Sequence, residues 1–201
     1  MTSQRHFWYP KASVLKRQEI VKRLKETLEE DRFRHTLRVE KIALSLAKKY
    51  GLDESKVSLA ALLHDCARRY HRHELLVEAK RLGLSIDPIQ EFEPKLLHAE
   101  ISAHLARTEF KVRSKEVLHA INRHTVGAPK MSLLDKVIYL ADHIEEGRAF
   151  PGVKRIRALA FRDLDRAIVE SVTRTLLYLL ENDLPVFHKT IETRNRFLLG
   201  I

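Results

Sequence analysis

Apolar residues recur every three or four positions along most of the chain, which is the spacing of an amphipathic helix. Ile20, Leu24 and Leu28 follow this spacing and predict a helix over residues 13–30. The stretch SLAALLHDCA is apolar on nearly every side, so the helix predicted over 54–70 is expected to be buried. The same pattern predicts further helices over 32–50, 73–82, 94–110, 115–124, 133–146, 154–161, 164–182 and 188–198.

Polar residues and glycines at the ends of these segments support the boundaries. Nine or ten helices with short connections predict an all-α protein, a compact helical bundle with irregular crossing angles. The expected N-caps are Asp31, Asp53, Ser114 and Asp163, Ser132 with Asp135 resembles a capping box, and the expected helix stops are Gly51, Gly83 and Gly147.

The turn-forming residues are scarce, which argues against a sheet protein. Glycine and proline number six each, and neither occurs in residues 11–50, 52–82, 95–126 or 153–184. A sheet protein of this length needs many tight turns, which usually require those residues. The composition therefore excludes a sandwich, a barrel and a glycine-rich nucleotide-binding fold.

The chain reads as an N-terminal arm over residues 1–17 followed by a single domain over 18–201. No apolar stretch approaches the roughly 18 residues of a membrane span, and the first residues lack the apolar core of a signal peptide. One cysteine, Cys66, rules out an internal disulfide and is expected to be a small core residue. We therefore expect a cytoplasmic protein with no membrane partner.

The charge balance adds an expectation about partners. Lysine and arginine number 37 against 27 aspartates and glutamates, which gives a net charge of +10. Such a balance favours anionic partners, namely nucleic acid, phosphates or an acidic membrane surface, and does not choose among them.

A polar pair, His64-Asp65, interrupts the most apolar of the predicted helices. Aspartate is rarely buried unless it is paired or bound to a metal. The pair could satisfy each other or a neighbouring helix, but other titratable residues share this setting. His35 lies on one helix face with Val39 and Ile42, so it is expected to point into the core.

Three further residues place titratable groups near the core. Asp142 lies near the inward face of its helix, His98 shares a helix with Ile101 and Leu105, and His124 stands where a helix gives way to a glycine turn. Imidazole and carboxylate ligands from several helices suit iron, manganese, nickel, cobalt or zinc. A structural zinc site is not expected, because Cys66 is the only source of a thiolate.

The order H…HD…D, formed by His35, His64-Asp65 and Asp142, resembles the HD-domain metal phosphohydrolases. The resemblance extends further, to the YqeK group of bacterial HD proteins, and covers about residues 18–200. It rests on the blocks RHTLRVEKIALSLAKKYG, AALLHDCAR, LLHAEISA, INRHTVGAPKMSLLDKVIYLADHIEEGRAFPGV and LPVFHKTIETRN.

This resemblance implies a helical, iron-dependent enzyme that cleaves diadenosine tetraphosphate symmetrically into two molecules of ADP, with manganese, cobalt and nickel as alternative metals. It implies that the metal ligands are His35, His64, Asp65 and Asp142. It further implies substrate contacts from His98, His124, Thr125, Asp142 and Arg148, and a position near the nucleoside for the loop Phe187–Asn195, with Asn195 as the contact.

Two positions depart from the group. Arg68 stands where a lysine is common, and an arginine keeps the charge but cannot shuttle a proton. We expect Arg68 to reach the site, being one helical turn beyond Asp65. Glu100 replaces a small or apolar residue, and would either disfavour a polyphosphate or face water.

The expected catalytic residues are Asp65, Arg68, His98 and His124. Asp65 can hold the metal and accept a proton from the water, and His98 or His124 can protonate the departing ADP. Arg148 suits a bidentate contact to phosphate, although it could also serve only as a cation at a helix C-terminus.

Two other functions are compatible with the sequence. One is an HD hydrolase of a different nucleotide, a cyclic dinucleotide or an RNA end, but the H-x-x-x-G-Y-P signature typical of the cyclic-dinucleotide enzymes is absent. The other is a non-catalytic binder of nucleotide or RNA. The complete ligand set favours catalysis on a small nucleotide, so nucleic acid is not the expected partner, and a homodimer is left open.

Overall fold

The computed structural model describes residues 15–200. This part of the chain is all-α, as predicted, but it forms eleven α-helices rather than nine or ten. Most of the predicted N-terminal arm, residues 1–14, lies outside the described residues. The helices are α1 (Arg17–Thr27), α2 (Glu30–Tyr50), α3 (Glu54–Leu63), α4 (Arg72–Arg81), α5 (Pro88–Phe92), α6 (His98–Thr108), α7 (Lys115–Arg123), α8 (Leu133–Ile144), α9 (Val153–Ala160), α10 (Leu164–Glu181) and α11 (His188–Leu199).

The extra helix, α5, lies in a stretch that the two flanking prolines predicted to be a loop. Pro88 occupies its first turn, where the missing N–H costs nothing. The Asp87 side chain accepts a hydrogen bond from the Ile89 N–H at 2.8 Å, and the Asp87 N–H donates to Gln90 Oε1 at 3.0 Å. This reciprocal cap stabilises a helix of only five residues.

The helix predicted over 54–70 ends earlier, at Leu63, and that part of the prediction is wrong. A 3₁₀ turn, Cys66–Arg69, replaces the last turns. The Ala67 N–H donates to the Ser102 hydroxyl on α6 at 3.0 Å, which gives a buried donor its partner outside the helix. His64 and Asp65 therefore stand at the end of α3, where the chain bends, rather than inside it.

The helix predicted over 94–110 is also divided. A 3₁₀ turn, Pro94–Leu97, comes first, and α6 begins only at His98. His98 is thus the first residue of a helix, and the Lys95 carbonyl accepts hydrogen bonds from both its backbone N–H and its ring.

The predicted N-caps are confirmed with one exception. Asp53, Ser114, Ser132 and Asp163 each accept a backbone N–H bond at the start of a helix. Asp31 does not: α2 begins one residue before it, and Glu29 occupies the cap position without a side-chain bond.

Helices α2, α3, α7 and α8 form the centre of the bundle. Helix α2 packs on α3 and α8, and α7 packs on α3, α6 and α8. Helix α10 covers α8 and α9 on one side and carries α11 on the other. The facing side chains are fully buried, among them Val39, Leu46, Leu63, Ile121 and Ile138. The residues that interrupt this apolar core lie where these central helices meet.

A glycine turn fixes the chain after α7. Gly127 has φ +73, and a Cβ built there would lie 2.5 Å from the Thr193 Cγ2 on α11. Thr193 in turn donates to the Val126 carbonyl at 3.0 Å. The turn after His124 is therefore attached to the C-terminal helix. None of the described helices combines the length and the apolar character that a membrane crossing requires.

Candidate metal centre

Three histidines stand at helix ends and share one hydrogen-bond pattern. The Nδ1 atom of His64 bonds the Ala61 carbonyl at 2.7 Å, and that of His124 bonds the Ile121 carbonyl at 2.6 Å. The Nδ1 atom of His98 bonds the Lys95 carbonyl. A carbonyl can only accept, so each Nδ1 carries the proton and each Nε2 presents its lone pair. All three rings are buried.

A fourth histidine, His35, is oriented by a carboxylate instead. Its Nδ1 donates to Glu145 Oε1 at 3.2 Å. Glu145 is only 2% exposed and also accepts from Arg38 Nε and from the Gly147 N–H, both at 2.5 Å. Glu145 was not predicted from the sequence, although it stands three residues after Asp142 and so shares its side of the chain. A carboxylate on the second nitrogen of a ligand imidazole fixes the tautomer and raises basicity.

The four residues predicted to bind metal lie together. His35 Nε2 is 3.0 Å from Asp142 Oδ1, and Asp65 Oδ2 is 3.7 Å from His35 Nε2 and 3.5 Å from His64 Nε2. Yet the Nε2 atoms of His35 and His64 are buried and have no hydrogen-bond partner. The 3.0 Å contact thus has the length of an ion pair without the angle of a hydrogen bond.

Unpartnered buried nitrogens beside carboxylate oxygens are what a cation site requires. His35, His64 and Asp142 each offer an atom within 4.8 Å of the others, and so do His64, Asp65 and His124. The donor set of neutral imidazoles and carboxylates fits a divalent transition metal. The residues present therefore fit the metal that the sequence predicts.

The second oxygen of Asp65 faces the remaining histidines. Asp65 Oδ1 is 3.1 Å from His98 Nε2 and 3.6 Å from His124 Nε2. These two nitrogens are 2.9 Å apart, and the Thr125 hydroxyl lies 3.2 Å from each. Two inward nitrogens beside a carboxylate oxygen could hold a second cation or contact phosphate oxygens. The structure thus brings His98, His124 and Thr125 to the same point.

The electrostatics suit metal binding near neutral pH. Burial lowers the pKa of His64 to about 4, which keeps this imidazole neutral. Burial opposes ionisation of Asp65 and Asp142, but the surrounding imidazoles, and Arg148 beside Asp142, hold both pKa values well below the usual range. The site therefore presents a neutral His64 and charged carboxylates, the forms that bind metal.

Two arginines flank the cluster. Arg148 Nη2 donates to Asp142 Oδ1 at 2.6 Å and its Nε donates to the Asp142 carbonyl at 2.9 Å. Arg32 Nη1 donates to Asp65 Oδ2 at 2.9 Å. The sequence predicted Arg148 but missed Arg32, which lies one helical turn before His35 on α2.

The other predicted site residues lie outside the cluster. Arg68 is half-buried in the turn after Asp65, and burial lowers the pKa of its guanidinium. Glu100 lies 4.0 Å from the Lys189 ammonium. Residues 188–195 belong to α11, which confirms the helix predicted over 188–198 and not the loop that the resemblance implied, and Asn195 is exposed there. The structure does not bring Asn195 to the cluster.

This arrangement of histidines and aspartates belongs to a known class. Residues 32–147, which include His35, His64, Asp65 and Asp142, match the family described as HD domain. The chain is 33% identical to a Clostridium acetobutylicum protein described as a predicted HD superfamily hydrolase involved in NAD metabolism. The two folds superpose with a TM-score of 0.90 over 94% of this chain and all of that one.

Two similar proteins narrow the family assignment from the HD domain to one group within it. A Halalkalibacterium halodurans protein is 42% identical over 88% of this chain and 94% of its own length. A Bacillus subtilis protein is 38% identical over 92% of this chain and all of its own length. Both are named symmetrical bis(5'-nucleosyl)-tetraphosphatases. The chain belongs to this YqeK-type family of HD-domain proteins, which confirms the resemblance.

Proposed function

We propose that the chain is a metal-dependent hydrolase that cleaves diadenosine tetraphosphate symmetrically into two molecules of ADP. The relatives' names support the reaction. The observation that carries the proposal is the buried cluster itself. Unpartnered Nε2 atoms of His35 and His64 converge on two aspartates, and an arginine stands beside each aspartate.

We propose iron as the metal, held by His35, His64, Asp65 and Asp142, with manganese, cobalt and nickel as alternatives of similar ligand preference. A bound transition metal polarises a phosphoryl oxygen and lowers the pKa of a coordinated water. The protein's part is to keep the donors in the form and orientation that bind. Glu145 does this for His35, and backbone carbonyls do it for the other imidazoles.

In this proposal Asp65 is both a metal ligand and a base, because its two oxygens face different groups. One oxygen lies among the metal ligands, and the other lies beside His98 and His124. A carboxylate in this position can take the proton of the attacking water. Arg148, already bonded to Asp142, would orient a phosphate oxygen at the edge of the cluster.

In this proposal His98, His124 and Thr125 act on the phosphate of the departing ADP. The Thr125 hydroxyl lies 3.2 Å from both Nε2 atoms, so the three groups act at one place. They hold a second cation that contacts the phosphate oxygens, or they contact these oxygens directly once a ring has also taken up a proton on Nε2. In either arrangement positive charge lies next to the phosphate on which charge develops. The metal content per chain distinguishes the two.

We place the protein in the cytoplasm, where a free thiol such as that of Cys66 persists and nucleotide substrates are found.

The proposal is tested by the products formed from diadenosine tetraphosphate. The metal-loaded chain should yield ADP alone, because attack falls on a central phosphate. AMP together with ATP would contradict symmetrical cleavage, and no product would contradict the reaction. His124→Ala should lose most of the activity, whereas His119→Ala, a change of an exposed histidine on the same helix, should keep it.

A further inference from the structure

Two cavities are each lined by one of the arginines that bond a cluster aspartate. The first has a volume of ≈ 490 Å³ and is lined by Arg32, which bonds Asp65. The second has a volume of ≈ 460 Å³ and is lined by Arg148, which bonds Asp142. Both volumes lie in the range of small-molecule sites.

The first cavity, which we call the basic cleft, opens between three short segments. These are the α1–α2 connection, the 3₁₀ turn after Asp65 and the 3₁₀ turn before His98. Its principal side chains are Arg32, Arg68, Tyr70, Arg72 and Lys95.

We propose that the basic cleft binds one nucleoside-diphosphate half of the substrate, while the other half lies on the Arg148 side. This inference rests on the proposed function, because cleavage at the centre of a dinucleoside tetraphosphate leaves a nucleoside diphosphate on each side of the broken bond. A site that breaks this bond must hold both halves.

The charge of the cleft fits a polyphosphate. Five basic side chains, Arg69 in addition to the four named above, face a single acidic one, Glu29. Phosphate binding favours such an excess of positive charge, and arginine matches phosphate geometry with two parallel bonds.

Not all of this charge is neutralised within the protein. Arg69 is bonded to Glu109 at 2.6 Å, and Arg72 is paired with Glu93 at 3.3 Å. Arg68 and Lys95 form no ion pair with any side chain in residues 15–200. Arg68 is half-buried, and burial lowers the pKa of its guanidinium, so an anion in the cleft would stabilise its charged form.

Arg32 links the cleft to the metal centre, because it lines the cleft and bonds Asp65. Its Nη1 lies 2.9 Å from Asp65 Oδ2, the same oxygen that lies 3.5 Å from His64 Nε2. A phosphate held at the metal would therefore have its next phosphate beside Arg32, and Arg68 and Lys95 would follow outward. The Tyr70 ring, also on the wall of the cleft, supplies an aromatic surface for a base.

The test compares two charge reversals on exposed lysines. Lys95→Glu places a carboxylate at the rim of the cleft, and Lys80→Glu makes the same change on α4, outside the cleft. We expect Lys95→Glu to raise the KM for diadenosine tetraphosphate about tenfold, the effect of losing one contact to phosphate. Its kcat should change less than about threefold, and Lys80→Glu should leave both constants unchanged. Equal constants for the two variants would overturn the proposal.

ADP binding tests the cleft independently of catalysis. Equilibrium dialysis of the metal-loaded chain against ADP should find two sites per chain, of which Lys95→Glu weakens one about tenfold. If the wild-type chain binds ADP in this way but forms no ADP from diadenosine tetraphosphate, the proposed function fails and the cleft stands. If ADP binding is the same in both variants, the cleft assignment fails whatever the chain hydrolyses.

Discussion

Glu145 offers the sharpest test of how the protein prepares its metal site. The residue is not itself a predicted ligand or substrate contact, yet it accepts hydrogen bonds from His35 Nδ1, Arg38 and the Gly147 N–H. Glu145→Gln keeps the size of the side chain and removes its charge. The amide has one oxygen to offer three donors, so His35 loses the partner that fixes its ring and its tautomer.

The size of the effect follows from the contacts. Loss of the outer partner of a ligand histidine typically costs 10- to 100-fold in metal affinity or activity. This range corresponds to about 1.4–2.7 kcal/mol. We expect the higher end, because Glu145 is 2% exposed and Gln would also leave the Arg38 guanidinium without its charged partner.

Metal affinity is measured by competition with a chelator, and thermal unfolding is recorded alongside. Glu146→Gln is the matched control, since the side chain of this neighbouring glutamate is 60% exposed and pairs with Lys41 at the surface. Glu145→Gln should weaken metal binding at least tenfold more than Glu146→Gln does. Equal metal affinity in the two variants would refute the claim that Glu145 orients His35.

The remaining predictions concern catalysis, folding and reactivity. Arg68→Ala should lose roughly 10- to 1000-fold in kcat/KM, which is the scale of one electrostatic donor, while Arg68→Lys keeps most activity. A wild-type rate in Arg68→Ala would show that Arg68 does not act in the site. Gly127→Ala should lower the stability by about 1–3 kcal/mol, measured by denaturant unfolding, because φ is +73 and the new Cβ would meet Thr193; an unchanged midpoint would contradict this. Cys66, whose pKa burial raises to about 12, should resist alkylation at pH 8 and react once the chain is unfolded; rapid reaction of the native protein would show that the thiol is accessible.

Much of the fold could be predicted because most helices carry a periodic apolar face and a local cap. The segments around Leu46 and Ile138 are of this kind, and each predicted helix there is present. The predicted helix boundaries are wrong where contacts between residues far apart in the sequence determine the backbone conformation. Helix α3 ends at Leu63, and beyond it the Ala67 N–H bonds the Ser102 hydroxyl of α6. No residue near Ala67 in the sequence indicates that partner.

The residues proposed as metal ligands stand out in the sequence because they are polar residues in apolar surroundings. His35, His64 and Asp142 lie on predicted inward faces, and the structure brings them together. Arg32 and Glu145 were missed for the opposite reason. Charged residues near helix ends are common, and only the three-dimensional contacts show that these two bond the cluster.

If this cluster of histidines and aspartates holds the metal on which hydrolysis depends, metal content and activity must change together. Both are measured, as metal per chain and as ADP formed, on the same preparations of wild type, His64→Ala and His119→Ala purified without chelator. We expect metal and activity to be lost together in His64→Ala and kept together in His119→Ala. Full metal content in His64→Ala, or undiminished cleavage of diadenosine tetraphosphate by that variant without metal, would contradict this expectation.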